Sequence, residues 1–209
     1  MSKLSDPHLI STPEQLDDLF GDVAEPSIRK EISYIHPHYR AMIEAAPFAI
    51  LATSGPGGLD ASPRGDPPGF VVVEDEKTLL VPERRGNNRV DSLRNLVTDP
   101  RVALLCLIPG VGEMLRVTGT ARISVDPALL ARFEMHGKPP RCVLIVDVES
   151  VYFQCARAIQ RSKLWQPPAA EAKARVPSPG QILAALTESR IDAEKYDREL
   201  PERQRSTLY

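Results

Sequence analysis

Residues 48–73 read FAILATSGPGGLDASPRGDPPGFVVV, and this stretch decides the fold that the sequence predicts. Two short apolar runs, at 48–53 and 59–62, flank the sequence Ser-Gly-Pro-Gly-Gly at 54–58. Glycine and proline favour tight turns, so the pattern predicts two antiparallel strands joined as a hairpin. A glycine-rich phosphate loop would open a helix instead of joining two strands.

Similar apolar runs recur from residue 47 to residue 155. Further strands are expected at 70–73, 78–81, 102–108, 115–125 and 142–148. The polar residues 74–77 connect two of these strands as a second hairpin, and helices are expected at 88–97 and 126–135. Many short strands with tight connections are typical of an antiparallel sheet, either closed or sandwiched. The sequence therefore predicts a mainly β protein with peripheral helices.

The two ends of the chain differ from this centre. Residues 1–46 are expected to form a helical segment that packs on a barrel at 47–166, and Thr12-Pro13-Glu14-Gln15 begins its first helix as a capping box. A second, weaker helix is expected at 31–46, interrupted at Pro37. Residues 167–209 form a proline-rich tail with a short helix at 180–189. The tail is too short for a second domain, so we expect it to pack on the barrel or on a partner subunit.

Composition excludes several classes of protein. The 209 residues carry a net charge of −2, which argues against a dedicated nucleic-acid binder. No apolar run reaches the roughly 18 residues of a membrane span, and the N-terminus lacks the apolar core of a signal peptide. A cytoplasmic protein without membrane association is therefore expected. The three cysteines and the His36-Pro-His38 motif have no metal-ligand spacing, so we expect no metal site.

The densest polar cluster is Pro82-Glu-Arg-Arg-Gly-Asn-Asn-Arg89, between a predicted strand and a predicted helix. Free backbone N–H groups and the helix dipole favour an anion there, and arginine matches phosphate oxygens in a bidentate way. This favours a phosphate site. The equally weighted alternative is a solvated loop whose arginines pair with Glu83 and Asp91.

Two other clusters have functional and structural interpretations. Arg64 ends the second predicted strand, where it could reach a ligand in the same cleft or simply pair with Asp66 within a proline-rich turn. Residues 154–165 combine several cations with the only tryptophan, Trp165. Trp165 could stack on a flat ring, with Arg161 and Ser162 supplying hydrogen bonds, or it could dock into the core.

Taken in order, four motifs resemble the pyridoxamine 5′-phosphate oxidase-like flavoproteins, and more narrowly an FMN-dependent bacterial branch of that family. The motifs are FAILATSGPGGLDASPRGDPPGF, KTLLVPERRGNNRVDSLRNLVTDPRVALLCLIPG, EMLRVTGTARIS and YFQCARAIQRSKLW, which together span about residues 40–166. The resemblance implies an antiparallel split β-barrel that binds FMN at a homodimer interface, with a small-molecule substrate or electron donor.

The resemblance also implies which residues contact the cofactor. Arg64, with Gly65 and Asp66, would touch the flavin at the end of the second strand, and the backbone of Val81 and Pro82 would run along its ring. The phosphate would be held by Arg84, Asn87, Asn88 and Arg89. Arg161, Ser162 and Trp165 would cover the flavin, from the same subunit or from its partner.

The resemblance implies an FMN-dependent oxidoreductase whose substrate is unassigned. Pyridoxamine phosphate oxidases carry Arg-x-x-Leu-Leu-Lys where this chain reads Arg64-Gly-Asp-Pro-Pro-Gly69, so the vitamin B6 reaction does not follow. The flavin supplies such chemistry, so no catalytic side chain is assigned. Alternatives are a non-catalytic flavin carrier or sensor, and a binder of another phosphorylated cofactor such as F420.

Overall fold

The computed structural model describes residues 8–167 and 175–209, and its centre is an antiparallel sheet of seven strands. The strands are β1 (Phe48–Gly55), β2 (Gly58–Gly65), β3 (Val72–Val73), β4 (Thr78–Glu83), β5 (Arg101–Leu107), β6 (Met114–Ser124) and β7 (Cys142–Gln154). Each of the seven predicted strands forms. Strand β3 is shorter than expected, and β7 runs past its predicted end at Val148 because it pairs along the whole of β6.

The strand order is β2-β1-β5-β6-β7-β4-β3. Strands β2 and β3 are the two edges of the sheet, and they are not hydrogen-bonded to each other. The sheet is thus split rather than closed, and the predicted mainly β, split-barrel fold is confirmed.

Both predicted hairpins are present. Strands β1 and β2 pair along their full length, and the last pair, Gly55 with Gly58, closes a turn of two residues. Gly58 has a φ of +106°, a conformation that favours glycine. The second hairpin closes where the Glu74 N–H donates to the Thr78 carbonyl at 3.0 Å.

Eight helices are described around the sheet. They are α1 (Pro13–Phe20), α2 (Glu25–Arg29), α3 (Pro37–Ala45), α4 (Asp91–Thr98), α5 (Pro127–Ala131), α6 (Arg157–Ser162), α7 (Pro179–Leu186) and α8 (Ala193–Ser206). The capping box of α1 forms: the Thr12 hydroxyl accepts from the Gln15 N–H, and the Gln15 side chain accepts from the Thr12 N–H.

Several helix predictions were wrong in their bounds. Pro37 begins α3 at its first position instead of interrupting a helix from residue 31, because proline fits the first turn of a helix. The preceding Ile32 instead bridges to Val151 of β7. Helix α4 begins at Asp91 rather than at 88, and α5 ends at Ala131. Helices α2, α6 and α8 were not predicted.

The tail contains two helices, whereas the sequence predicts one short helix there. Helix α7 forms near its expected position, capped by Ser178, and α8 follows it. The Gly180 N–H donates to the Asp197 carboxylate at 2.8 Å, which fastens α7 to α8. Residues 168–174 of the predicted proline-rich tail lie outside the described residues.

The core lies between the inner face of the sheet and helices α3 and α4. Alternate residues of β1 and β6 are buried, as expected for strands with one solvent face. Ile43 of α3 and Leu96 of α4 pack against them. Among residues 8–167 and 175–209, no helix has the length and apolar character needed to span a bilayer.

Candidate functional site

A cleft of about 840 Å³ lies where the two ends of the sheet face each other. Its walls come from β2, from the end of β4, from the loop before α4 and from the last residues of the chain. The lining residues are Asp60, Ser62–Asp66, Phe70, Pro82–Leu93, Arg141, Leu208 and Tyr209. The sequence clusters at Arg64 and at 82–89 therefore meet in one cleft.

Arg64 of β2 is fixed by a part-buried ion pair with Glu83 of β4. Its Nε lies 2.8 Å from Glu83 Oε2, and its Nη1 donates to the Ser62 hydroxyl and to the Pro63 carbonyl. The two charged side chains are 11% and 18% exposed. Burial raises the pKa of Glu83, although the Arg64 guanidinium opposes that shift. The pair bridges the two ends of the sheet that strand pairing leaves open.

Arg84 forms a second part-buried pair across the same gap. Its Nε lies 2.6 Å from Asp66 Oδ2, and its Nη1 donates to the Phe133 carbonyl. The sequence alternative of an Arg64–Asp66 pair was therefore wrong, since each of these two residues has a partner on the opposite side of the cleft. The Tyr209 hydroxyl donates to the other Asp66 oxygen at 2.9 Å, and this bond raises the pKa of Tyr209.

The loop between β4 and α4 is ordered by local hydrogen bonds. The Asn87 side chain accepts from the Arg89 N–H at 3.0 Å, and Asn88 has a φ of +61°, which asparagine tolerates well. The Arg89 guanidinium pairs with Asp91 at 2.6 Å, and this contact raises the pKa of Arg89. Of the alternative in which the loop arginines pair with Glu83 and Asp91, only the Arg89–Asp91 contact exists, since Glu83 pairs with Arg64. The Arg89 side chain is 80% exposed and can turn toward a ligand.

The charges that line the cleft are unevenly paired. Three of its arginines face carboxylates: Arg64, Arg84 and Arg89. Arg85 and Arg141 also line it, and neither makes an ion pair within the described parts of the chain. An anionic group would therefore find unneutralised guanidinium groups here, together with the amides of Asn87 and Asn88.

The remaining predicted cofactor residues are placed differently. Val81 is buried with its side chain in the core, so only its backbone is available to a ligand, whereas Pro82 lines the cleft. Arg161, Ser162 and Trp165 are not among the residues that line the cleft of this chain. The indole N–H of Trp165 instead donates to the Val111 carbonyl at 2.6 Å. Their predicted role as a cover for a flavin stays a prediction.

The other candidate groups offer little reactive chemistry. Burial raises the pKa of Cys106 to about 12 and that of Cys142 to about 11, so both thiols are protonated at neutral pH. Cys155 is exposed. The His36 ring accepts from the His38 N–H. In the part of the chain that the structure describes, no group of three or more His, Cys, Asp or Glu side chains could hold a metal.

Sequence reasoning missed several residues of the cleft. Arg85 lay inside the basic cluster but was not singled out. Arg141, Leu208 and Tyr209 carried no local signal, because they reach the cleft only through the folded chain. Tyr209 is 143 residues from Asp66, its hydrogen-bond partner.

Residues 35–155, more than half of the chain, match the family model described as pyridoxamine 5′-phosphate oxidase. The chain belongs to this family. Membership confirms the resemblance drawn from the motifs, and it indicates a flavin-related function at the level of the family. The match includes Arg64, the loop 84–89 and Arg141, but not residues 161–165 or Tyr209.

Solved structures of similar fold cover little more than half of the chain. HupZ from Group A Streptococcus is 20% identical, with a TM-score of 0.47, over 58% of this chain and 94% of its own. A pyridoxamine 5′-phosphate oxidase, named as putative, from Lactobacillus delbrueckii is 19% identical, with a TM-score of 0.45, over 58% and 95%. The FAD binding protein from Mycobacterium smegmatis is 15% identical, with a TM-score of 0.40, over 59% and 97%. No curated protein matches the sequence.

Proposed function

We propose that the protein is an FMN-dependent oxidoreductase that acts as a homodimer on a small-molecule substrate or electron donor. The observation that carries this proposal is the meeting of Arg64 with the loop 84–89 in one cleft, inside the region that matches the family. A bound flavin would supply hydride or electron transfer. The residues of the chain would bind and orient it.

The donor set of the cleft fits a flavin mononucleotide. A phosphate needs cations and N–H donors, and the loop offers Arg85, Arg89, Asn87 and Asn88. Because Arg84 already pairs with Asp66, we assign Arg84 a positioning role, which is to hold this loop at the end of β4. Arg64, fixed by Glu83, would present a guanidinium to the polar edge of the ring, beside Gly65 and Asp66, while Pro82 would lie against its face.

The phosphate assignment is tested by comparing FMN with riboflavin, which has no phosphate. Arg85→Ala and Arg89→Ala should each weaken FMN binding by about 10- to 150-fold, the range for a hydrogen bond to a charged group. Riboflavin should bind both variants as it binds the parent protein. Arg122→Ala is the matched control, because Arg122 pairs with Asp147 on the sheet and does not line the cleft. Equal losses for FMN and riboflavin would show that the loop is only structural.

Catalysis is tested separately from binding. Yellow protein that NADH or NADPH bleaches would support an oxidoreductase, whereas yellow protein that neither donor reduces would support a carrier or sensor. Purified protein that binds no flavin would leave F420 or another phosphorylated cofactor as the ligand.

The homodimer rests on the resemblance. Leu59, at the β1–β2 hairpin, is 90% exposed, and Val97 of α4 is 78% exposed. Single exposed apolar side chains are ordinary on a protein surface, so these two are only positions that a partner would cover. A second subunit could also bring Arg161, Ser162 and Trp165 to the cleft. Light scattering of yellow protein at micromolar concentration tests this, and a monomer would contradict it.

A further inference from the structure

A second pocket, of about 430 Å³, adjoins the cleft and is far more basic. It is lined by Arg84, Arg85, Lys138, Pro139, Pro140, Arg141 and Tyr209. Four of these seven residues are cations, and no aspartate or glutamate is among the described residues that line it. The larger cleft, by contrast, balances five arginines against four carboxylates. An anion in the second pocket would relieve the mutual repulsion of its cations.

The backbone that carries Lys138 and Arg141 is held by local hydrogen bonds. Met135 and Lys138 exchange two backbone hydrogen bonds of 3.0 Å around a tight turn, in which His136 and Gly137 both have positive φ. Two prolines follow, and their rings restrict the connection to β7. The Arg141 N–H then donates to the Glu83 carbonyl at 2.9 Å, which fixes Arg141 beside the end of β4. The backbone is therefore preorganised, whereas the exposed side chains of Arg85 and Arg141 are ordered only when a ligand binds.

Tyr209 forms one wall of the pocket. Its ring centroid lies 5.6 Å from the Arg84 guanidinium carbon and 5.2 Å from the centroid of His136. The Tyr209 main-chain oxygen accepts from the Lys138 ammonium at 2.9 Å. Lysine has three N–H donors, so this contact leaves donors of Lys138 available to a ligand.

We propose that this pocket is a subsite for the anionic group of a small-molecule substrate, a carboxylate or a phosphate, and that Tyr209 is its specificity-determining wall. This proposal rests on the proposed function in one respect: it takes the ligand of the adjoining cleft to be a flavin. Arg141 supplies the unpaired charge, Lys138 supplies a further donor, and the Tyr209 ring limits the size and shape of the group that enters.

Two probes distinguish the two kinds of anion. Inorganic phosphate and benzoate are titrated by calorimetry into the FMN-saturated protein, in which the cofactor already fills the first cleft. Saturable binding of either probe supports the proposal and identifies the preferred group. Arg141→Gln and Lys138→Gln should each weaken that binding about 10-fold or more, because each removes a hydrogen bond to a charged group. Absence of saturable binding by both probes would overturn the proposal.

The control variant is Arg132→Gln. Arg132 lies on the same connection between β6 and β7, but it pairs with Glu74 and does not line the pocket. Binding should change less than about twofold in this variant, since a screened surface charge contributes little. An equal loss in Arg132→Gln and Arg141→Gln would show that only net charge matters, and it would overturn the subsite.

Tyr209 is tested through selectivity. Tyr209→Ala should weaken benzoate more than phosphate, because only benzoate packs against the ring, whereas Tyr209→Phe should preserve the ratio of the two affinities. An unchanged ratio in Tyr209→Ala would contradict the role of the wall.

The titration is repeated with flavin-free Arg89→Ala protein, whose first anion site is weakened. Anion binding there that still depends on Lys138, which lines the second pocket but not the first cleft, would support the subsite even if FMN never binds, so the two proposals fail separately.

Discussion

Replacing Arg84 by methionine tests whether charge holds the two ends of the sheet together. Arg84 and Asp66 are 16% and 6% exposed, and the substitution leaves the Asp66 carboxylate buried without its cation. Methionine keeps much of the apolar volume of the arginine stem, so lost packing contributes little. The Tyr209 hydroxyl would remain as a hydrogen-bond donor to that carboxylate.

The expected loss is about 3 kcal/mol in the free energy of unfolding. Breaking a buried pair from one side costs about 3–5 kcal/mol. The lower end applies because Arg84 keeps some solvent contact and Tyr209 still donates to Asp66. The double variant Arg84→Met/Asp66→Asn removes the stranded charge, so it should recover to within about 1 kcal/mol of the parent protein.

Urea unfolding of the parent, both single variants and the double variant measures these free energies, provided that the m-value is constant. FMN and riboflavin affinities of Arg84→Met should fall alike, because Arg84 acts through Asp66 and not on the phosphate. A loss below about 1 kcal/mol in Arg84→Met would refute the reasoning. The reasoning would also be refuted if the loss of unfolding free energy in the double variant equalled the sum of the losses in the two single variants.

Two further predictions concern buried groups of the sheet. Burial raises the pKa of Glu83 above its ordinary value of 4.5. The protonated Glu83 side chain therefore contributes to stability at pH values below about 4.5, and this contribution is lost as the pH rises through the folded pKa. Urea unfolding should therefore show Glu83→Gln becoming more stable relative to the parent between acidic and neutral pH, and a pH-independent difference would contradict this. Gly119 lies at the bulge between β6 and β7, where a Cβ would overlap the Asp147 carbonyl, so Gly119→Ala should lower the free energy of unfolding by about 1–3 kcal/mol. Gly57→Ala, at an open turn where a Cβ meets nothing within 4 Å, should not be destabilising, and equal losses in both variants would refute the steric explanation.

The sequence predicted those parts of the structure that depend on local chemistry. The capping box at Thr12 involves residues three apart, and the β1–β2 turn depends on glycines that are adjacent in the chain. Ion-pair partners were predicted less well, because opposite charges nearby in sequence are not always neighbours in the fold. The alternative that paired Arg64 with Asp66, two residues away, was wrong: both side chains face the cleft, and each has its partner on the far side.

The arrangement of the site follows from the split in the sheet. If β2 paired with β3 through backbone hydrogen bonds, the sheet would close and the space between its ends would be filled. The pairs Arg64–Glu83 and Arg84–Asp66 hold those ends instead, and side chains of this length leave a cleft beside them. Because Glu83 and Asp66 are engaged in these pairs, their carboxylates do not neutralise the other arginines of the cleft. Arg85 and Arg141 therefore stay available to an anionic ligand. The same side-chain contacts that stabilise the open barrel therefore leave positive charge where an anionic ligand would bind.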